Sequence, residues 1–469
     1  MKRILSLLMT FIILFSLVAC SSGNTQSKGL NHVEQNNSNS THQNLEKLNR
    51  EDLSLRVSKD EKKTITVSVM GKDPVFELAA RAYEKKHPNI SIKLKSFATG
   101  GGGMSLLQLE KYVSQTTTEV LSGKGADLFV LNDQSLPIDR YITNNAFVDL
   151  NEYIENDTSF NKSQYFMNIL EHSKINGGLY VLPTRFSISA LIANQEALEK
   201  AGVQINDDQN WTWSRFTDIS QQLKSKGTLD TVMQSTPAAI LHPLVFSNKN
   251  YDQLINMEKK EAKFDSPLFI DLLKQVKKLF DDHVLSDYQS KPTETYFTNS
   301  TIYSAKDYAL RSAIYYQSAT IYDFPHSAEN ESGVTFDGYD RYAMNSNSAV
   351  KIEAWDYLKF LLSYEMQIKP ERDMFPVNIA ANEKAIEDLV NTKLENTKGN
   401  NGKGGVVTVT KPSLEPLKLM ISKANTQTRW NEKIRTIIEE ESKSYFNGQK
   451  SAESVANIIQ NRVTTYLNE

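Results

Sequence analysis

The stretch Thr64-Ile65-Thr66-Val67-Ser68-Val69-Met70-Gly71-Lys72-Asp73-Pro74 sets the architecture of the chain. Apolar and polar residues alternate from Thr64 to Met70, the period of a half-buried strand. Asp73 is placed to cap a helix and Pro74 to begin one. Phe76, Ala79, Ala80 and Tyr83 then recur at i, i+3, i+4 and i+7, an apolar helical stripe that stops near His87-Pro88. Ile90, Ile92 and Leu94 predict a second strand. Gly100 to Gly103 lead into a helix over residues 104–121, and Ala126-Asp127-Leu128-Phe129-Val130-Leu131 reads as a buried strand. Strand, helix, strand, helix, strand is the pattern of a parallel sheet covered by helices, so the fold class is α/β. Ligands of such sheets gather beyond the carboxyl ends of the strands. Two loops there, Gly71-Lys72-Asp73 and Asn132-Asp133-Gln134, offer groups able to fix a polar ligand, and they serve equally well as turns and helix caps.

The 469 residues exceed what one core usually supports, so two domains are expected. With 39% hydrophobic and 23% charged residues the composition is globular, and a formal charge of −3 argues against a nucleic-acid surface. Cys20 is the single cysteine, which excludes an intramolecular disulfide and a multi-cysteine zinc site. The histidines His32, His42, His87, His172, His242, His283 and His326 are scattered singly, so no metal or other cofactor is expected. Residues 21–62 are rich in Ser, Asn, Gln and Lys and poor in aromatics; such a segment cannot bury enough surface to offset its ordering entropy and reads as a disordered tether. Gly100 to Gly103 lacks the Lys-Ser/Thr of a phosphate loop, and neither a G-x-S-x-G elbow nor H-E-x-x-H occurs. An enzyme is therefore not expected, although paired glycosidase carboxylates converge from distant positions and leave no spacing signature.

Lys2 and Arg3 precede an apolar run, Ile4 to Val18, too short for a membrane span, and the run ends in Leu17-Val18-Ala19-Cys20. This start resembles the lipobox signal of bacterial lipoproteins. The resemblance implies a signal peptide over 1–19, cleavage before Cys20, and lipidation of the Cys20 thiol. The chain would then be held to the outer face of a cell membrane, as in a Gram-positive envelope, by acyl chains worth about 0.8 kcal/mol per buried CH₂.

Five further segments occur in order. They are Tyr83-Glu84-Lys85-Lys86-His87-Pro88-Asn89-Ile90; Leu121-Ser122-Gly123-Lys124-Gly125-Ala126-Asp127-Leu128; Asn176-Gly177-Gly178-Leu179-Tyr180-Val181-Leu182-Pro183 with Leu191-Ile192-Ala193-Asn194; Trp211-Thr212-Trp213-Ser214-Arg215-Phe216; and Ala354-Trp355-Asp356-Tyr357-Leu358-Lys359-Phe360-Leu361. Together they resemble the extracellular solute-binding proteins of family 1, the receptors of ABC importers that include the maltose-binding type. The second segment departs from the family pattern, with Ala126 in place of proline. The resemblance implies a two-lobed periplasmic-binding-protein-like fold of type II, with a ligand cleft between lobes joined by crossing strands. Carried onto this chain, residues 63–185 plus 334–376 form lobe 1 and 186–333 plus 377–469 form lobe 2, after the lipidated Cys20 and tether at 20–62. Candidate ligand-binding residues are Lys72, Asp73, Asn132, Asp133, Arg185, Trp211, Tyr339 and Asp340. Trp213 and Trp355 occupy positions the family uses for packing, whereas Trp430 and the cluster Tyr296, Tyr303, Tyr308, Tyr315, Tyr316 and Tyr322 either face the cleft or cover a core.

The function implied is reversible capture of a small solute by a monomer, with hinge closure and delivery to ABC permease subunits, and no chemistry. The family favours a mono- or oligosaccharide. Two alternatives stay open: a lipoprotein that senses a ligand and signals to a membrane kinase, and a receptor for a peptide or amino sugar.

Overall fold

The structure, a computed structural model, describes residues 61–98, 104–205, 211–287, 294–316, 319–326, 333–369, 373–396 and 405–468. The signal peptide, Cys20, nearly all of the tether and Gly100 to Gly103 lie outside the described residues.

Strand β1 (Lys63–Gly71) buries Ile65, Val67 and Val69, the alternate positions that its sequence marks as apolar. Asp73 then accepts the Val75 N–H at 2.9 Å, and Pro74 opens helix α1 (Pro74–Lys86), whose buried face is Phe76, Ala79, Ala80 and Tyr83. Strand β2 (Ile90–Ala98) runs parallel to β1. Helix α2 (Leu106–Leu121) starts from a capping box made by Ser105 and Gln108, and strand β3 (Leu128–Val130) completes the parallel trio. On β3 and its continuation the two-residue period sends Leu128 and Val130 to one apolar cluster and Phe129 and Leu131 to another, so the sheet of the first lobe is covered on both faces. Short helices α3 (Ile138–Thr143), α4 (Asn151–Asn156) and α5 (Met167–His172) close this half.

Strand β4 (Leu182–Asn194) is the longest strand and lies at the centre of an 11-stranded sheet. After it come α6 (Gln195–Lys200), α7 (Trp213–Lys226), β5 (Thr231–Gln234), α8 (Pro237–Val245) and α9 (Asn248–Leu254). A two-stranded pair, β6 (Ile255–Asn256) and β7 (Glu261–Ala262), precedes α10 (Pro267–Asp281), β8 (Leu285–Ser286) and β9 (Thr295–Ile302). The chain continues through α11 (Ala305–Tyr315), β10 (Ala319–Tyr322), the crossing strand β11 (Val334–Met344), α12 (Lys351–Leu362), α13 (Tyr364–Gln367), β12 (Phe375–Pro376) and α14 (Ile379–Leu389). A hairpin of β13 (Lys393–Asn396) and β14 (Gly405–Thr408), helix α15 (Lys411–Lys423), β15 (Ala424–Gln427), α16 (Glu432–Phe446) and α17 (Ala452–Asn468) complete it. Gly448, at φ +72°, makes the turn between the last two helices, a conformation that a side chain disfavours.

The main sheet path is β2-β1-β3-β11-β4-β9-β5-β8. Strand β4 serves both lobes: Phe186, Ile188, Ala190 and Ile192 enter the first core, while Leu191 and Ala193 enter the second. Two stretches expected in lobe 2 pack instead on the first core. Helix α11 turns at Ser304 and buries Ala305, Tyr308 and Ala309 there. Likewise, the two-residue strand β12 pairs with β4 (Pro376 opposite Arg185), which keeps the chain on that side, so that Ile386, Val409, Leu414, Leu417, Met420, Ile421 and Ala424 all join the first core. Return to the second core comes after β15, through Ile434, Ile437 and Ile438 of α16 and Val455, Ile459 and Val463 of α17.

Within the first core, Trp355 donates its indole N–H to Asp157 at 2.8 Å, and Lys359 pairs with the same carboxylate at 2.8 Å. Burial opposes ionisation of Asp157, but the hydrogen bonds from Lys359, Ser159 and Trp355 outweigh it and hold the carboxyl below its usual range. A depressed folded pKa contributes stability above the unfolded value of about 3.9 that is lost as pH falls through the folded value. Asp157→Asn is therefore expected to cost about 1.5–3 kcal/mol at neutral pH. In denaturant titrations the gap from wild type should stay constant down to about pH 4 and narrow only below it.

Candidate functional site

Between the two cores the crossing strands carry polar side chains. On β11, Asp337, Tyr339 and Arg341 alternate onto one face, and Asp337 sits opposite Ser187 of β4. Tyr303, just beyond the end of β9, meets the Tyr339 ring edge-on at 6.1 Å. Burial raises the Asp337 carboxyl above its ordinary range, despite hydrogen bonds from Thr428 and Trp430 and the nearby Arg341. One oxygen, Oδ1, is buried without a hydrogen-bond partner, as is Nε of Arg341. Burial also disfavours the charge of Arg341, which Asp337, Tyr339 and Asp133 support, and a guanidinium retains its proton in such surroundings. The Tyr339 hydroxyl is pushed up to about 12, by burial first and then by Asp337 and Tyr303.

A cavity of about 530 Å³ opens along the same face of the sheet. Ser189 of β4, Asn299 and Thr301 of β9, Thr335 of β11 and Asn425 and Thr426 of β15 line it, with Trp213 and the Asn248 to Asn250 turn on the second lobe's side and His172 on the first. Among the described residues its lining consists of amides, hydroxyls and apolar surface, with Lys249 and two imidazoles and no carboxylate. Burial lowers the pKa of His172, and His326 Nε2 lies 3.2 Å from Asp323. A smaller gap of about 30 Å³, room for about one water, lies among Asp139, Arg341, Arg429 and Trp430. Thr428 borders both spaces.

The lobes touch across this region. Tyr251 on α9 donates to Asp139 on α3 at 2.9 Å. Arg429 donates its backbone N–H to the Phe246 carbonyl at 2.7 Å and Nη2 to the Lys174 carbonyl at 3.0 Å, and lies 3.5 Å from Asp252. Burial raises the Asp139 carboxyl, against the influence of Arg429 and Tyr251.

The residues expected at the site divide. Asn132 accepts the Arg341 N–H at 3.0 Å and donates to Asp340 at 3.2 Å, so it ties β3 to β11. Asp133 accepts the Ser135 N–H at 2.8 Å and stands in the field of Arg341. Tyr339 lies in the seam itself. Lys72 is exposed at the end of β1, beside the cap Asp73. Arg185 pairs in register with Tyr339, yet its guanidinium donates to the carbonyls of Met374 and Gln367, in a hollow beside α11 and α14. Trp211 lies in the second core with its indole N–H on the Asp323 carbonyl, and Trp213 packs in the same core, as expected, while also bordering the cavity. The tyrosines scatter: Tyr296 enters the second core, Tyr308 and Tyr316 the first, and Tyr303 meets the seam. Sequence reading missed Ser187, Asp337, Arg341, Arg429, Asp139 and Tyr251. The spacing of Asp337, Tyr339 and Arg341 in a crossing strand was the one available signal. Among the described residues no group of three His, Cys, Asp or Glu could hold a metal, and no helix is long and apolar enough to cross a membrane.

The Tyr251–Asp139 bond exists only while the lobes are together. Tyr251→Phe removes it, and a hydrogen bond to a charged group contributes about 1.5–3 kcal/mol. Small-angle scattering of the unliganded variant should show a larger radius of gyration than wild type, with the melting temperature changed by a few degrees at most. An unchanged radius would mean that this contact does not hold the lobes.

A sequence profile of the bacterial extracellular solute-binding protein family matches residues 71–368. Solved structures share the fold at low identity. The sugar-binding protein MalE from Xanthomonas citri superposes with a TM-score of 0.60 at 13% identity, over 86% of this chain and 97% of that one. The cyclic alpha-maltosyl-1,6-maltose binding protein from Arthrobacter globiformis gives 0.58 at 13% identity, over 86% and 98%. An ABC substrate-binding protein from Listeria monocytogenes, in complex with cycloalternan, gives 0.54 at 15% identity, over 87% and 100%. With a two-lobed α/β fold, crossing strands that carry a polar seam, and a profile match over well more than half its length, the chain belongs to the bacterial extracellular solute-binding proteins.

Proposed function

We propose that this protein is the substrate-binding lipoprotein of an ABC importer, capturing a mono- or oligosaccharide by closure of its lobes and handing it to membrane permease subunits. The observation that carries the reading is the lining of the 530 Å³ cavity, where amides and hydroxyls from four strands, β4, β9, β11 and β15, converge beside Trp213. Sugar hydroxyls need paired donors and acceptors, and the apolar C–H faces of a pyranose need a rigid aromatic surface. The saccharides named for the Arthrobacter globiformis and Listeria monocytogenes proteins, and the sugar-binding description of the Xanthomonas citri protein, support the same class. The neighbouring seam supplies the closing force. Unpartnered atoms of Asp337, Arg341 and Arg429 make the empty closed form costly, and a ligand that satisfies them adds its differential affinity to closure. The protein acts as a monomer and performs no chemistry on its solute. Lipidation at Cys20, supported by the Leu17-Val18-Ala19-Cys20 segment, anchors it outside the cytoplasm.

Thermal denaturation against mono- and oligosaccharides, amino sugars and short peptides tests the reading. A ligand at 100 times its Kd adds about 2.7 kcal/mol of stability. An upward shift confined to saccharides is expected; a shift with peptides alone would replace the ligand class. Anchoring has its own readout. Cys20→Ser should move the protein from the membrane fraction to the soluble one, and retention of the variant in the membrane fraction would overturn lipidation as its anchor.

A further inference from the structure

A second hollow, of about 390 Å³, lies beside the crossing strands and shares no lining residue with the Trp213 cavity. Arg185 forms its floor, 6% exposed and held by the carbonyls of Met374 and Gln367. One wall is the N-terminus of α11, an 11-residue helix capped by Ser304, whose first N–H groups carry the positive end of the helix dipole. The opposite wall is the flank of α14. There Asn382 is 4% exposed and its side-chain amide makes no hydrogen bond among the described residues, although it borders the hollow. An amide so placed, with no protein partner, is left to meet whatever the hollow holds. Lys306 and Lys369 stand at the rim and make no ion pair among the described residues. Among the described acids nearby, Asp388 pairs with Lys384, Asp307 in the first turn of α11 pairs with Arg311 at 2.8 Å, and Asp373 stands exposed at the edge.

We propose that this hollow is a second binding site, for a small multi-oxygen anion of the phosphate or polycarboxylate class. Such an anion accepts from the α11 N-terminus and from the Asn382 amide while the Arg185, Lys306 and Lys369 charges surround it. The site does not depend on the identity of the main solute. It does touch the hinge, because Arg185 belongs to β4 and its carbonyl partner Met374 adjoins β12, so a bound anion braces the contact between these strands.

Calorimetric titration of the full chain in detergent with inorganic phosphate and with citrate tests this, against potassium chloride at matched ionic strength. Saturable binding of at least one of the two anions is expected. It should weaken roughly tenfold in the double variant Lys306→Gln, Lys369→Gln, where Lys306 is exposed, Lys369 half-buried and neither ion-paired among the described residues, so that folding stays intact. Asn382→Asp, which places a carboxylate in the hollow, should weaken it at least as much. Heat no different from the chloride control, or affinity unaltered in both variants, would overturn the assignment.

Discussion

Strand β4 is hydrogen-bonded along both edges, with β11 and β10 on one side and β9 and β12 on the other. Only Ser189 and Asn194 of its 13 residues escape burial. A strand so placed has no freedom to slip, since a shift of one residue would exchange its two faces and put Phe186 and Ile188 where Ser187 and Ser189 now lie. The positions of both cores, of the seam and of both hollows follow from this one register.

The polar face of that register is electrostatically demanding. Asp337, Arg341 and Asp139 are held in surroundings that disfavour their charges, and Arg429 keeps two guanidinium nitrogens without acceptors. A core built for stability alone would hold apolar residues at these positions. Their presence where the two lobes meet fits the closure proposed above, because each group gains water when the lobes part and loses it when they come together.

Much of the architecture is written in local pattern. The alternation in β1, the Asp73-Pro74 start of α1 and the apolar run around Phe129 each name their element, because capping and periodicity act over a few residues. What escaped reading depends on distant partners. Asp337 and Arg341 look like the solvent face of a half-exposed strand until β4 and the Thr428-Arg429-Trp430 turn cover them. Trp211 and Trp213 are two residues apart and equally buried, and only the placement of α7 decides that the second borders the cavity. The excursion of residues 379–396 and 405–424 onto the first core hangs on a strand two residues long, too brief to leave a sequence signature.

The first core draws on residues from Ile65 to Ile192, from Ile302 to Ile386 and from Val409 to Ala424, and the second on Leu191 to Phe297 and Ile434 to Leu467. Neither lobe is therefore a continuous stretch of chain. A recombination event that cut between any two segments would leave both halves of the molecule with an incomplete interior, so the pair can be inherited, duplicated or lost only as a whole. Diversification of such a receptor has to proceed residue by residue along the seam, with the scaffold passed on entire.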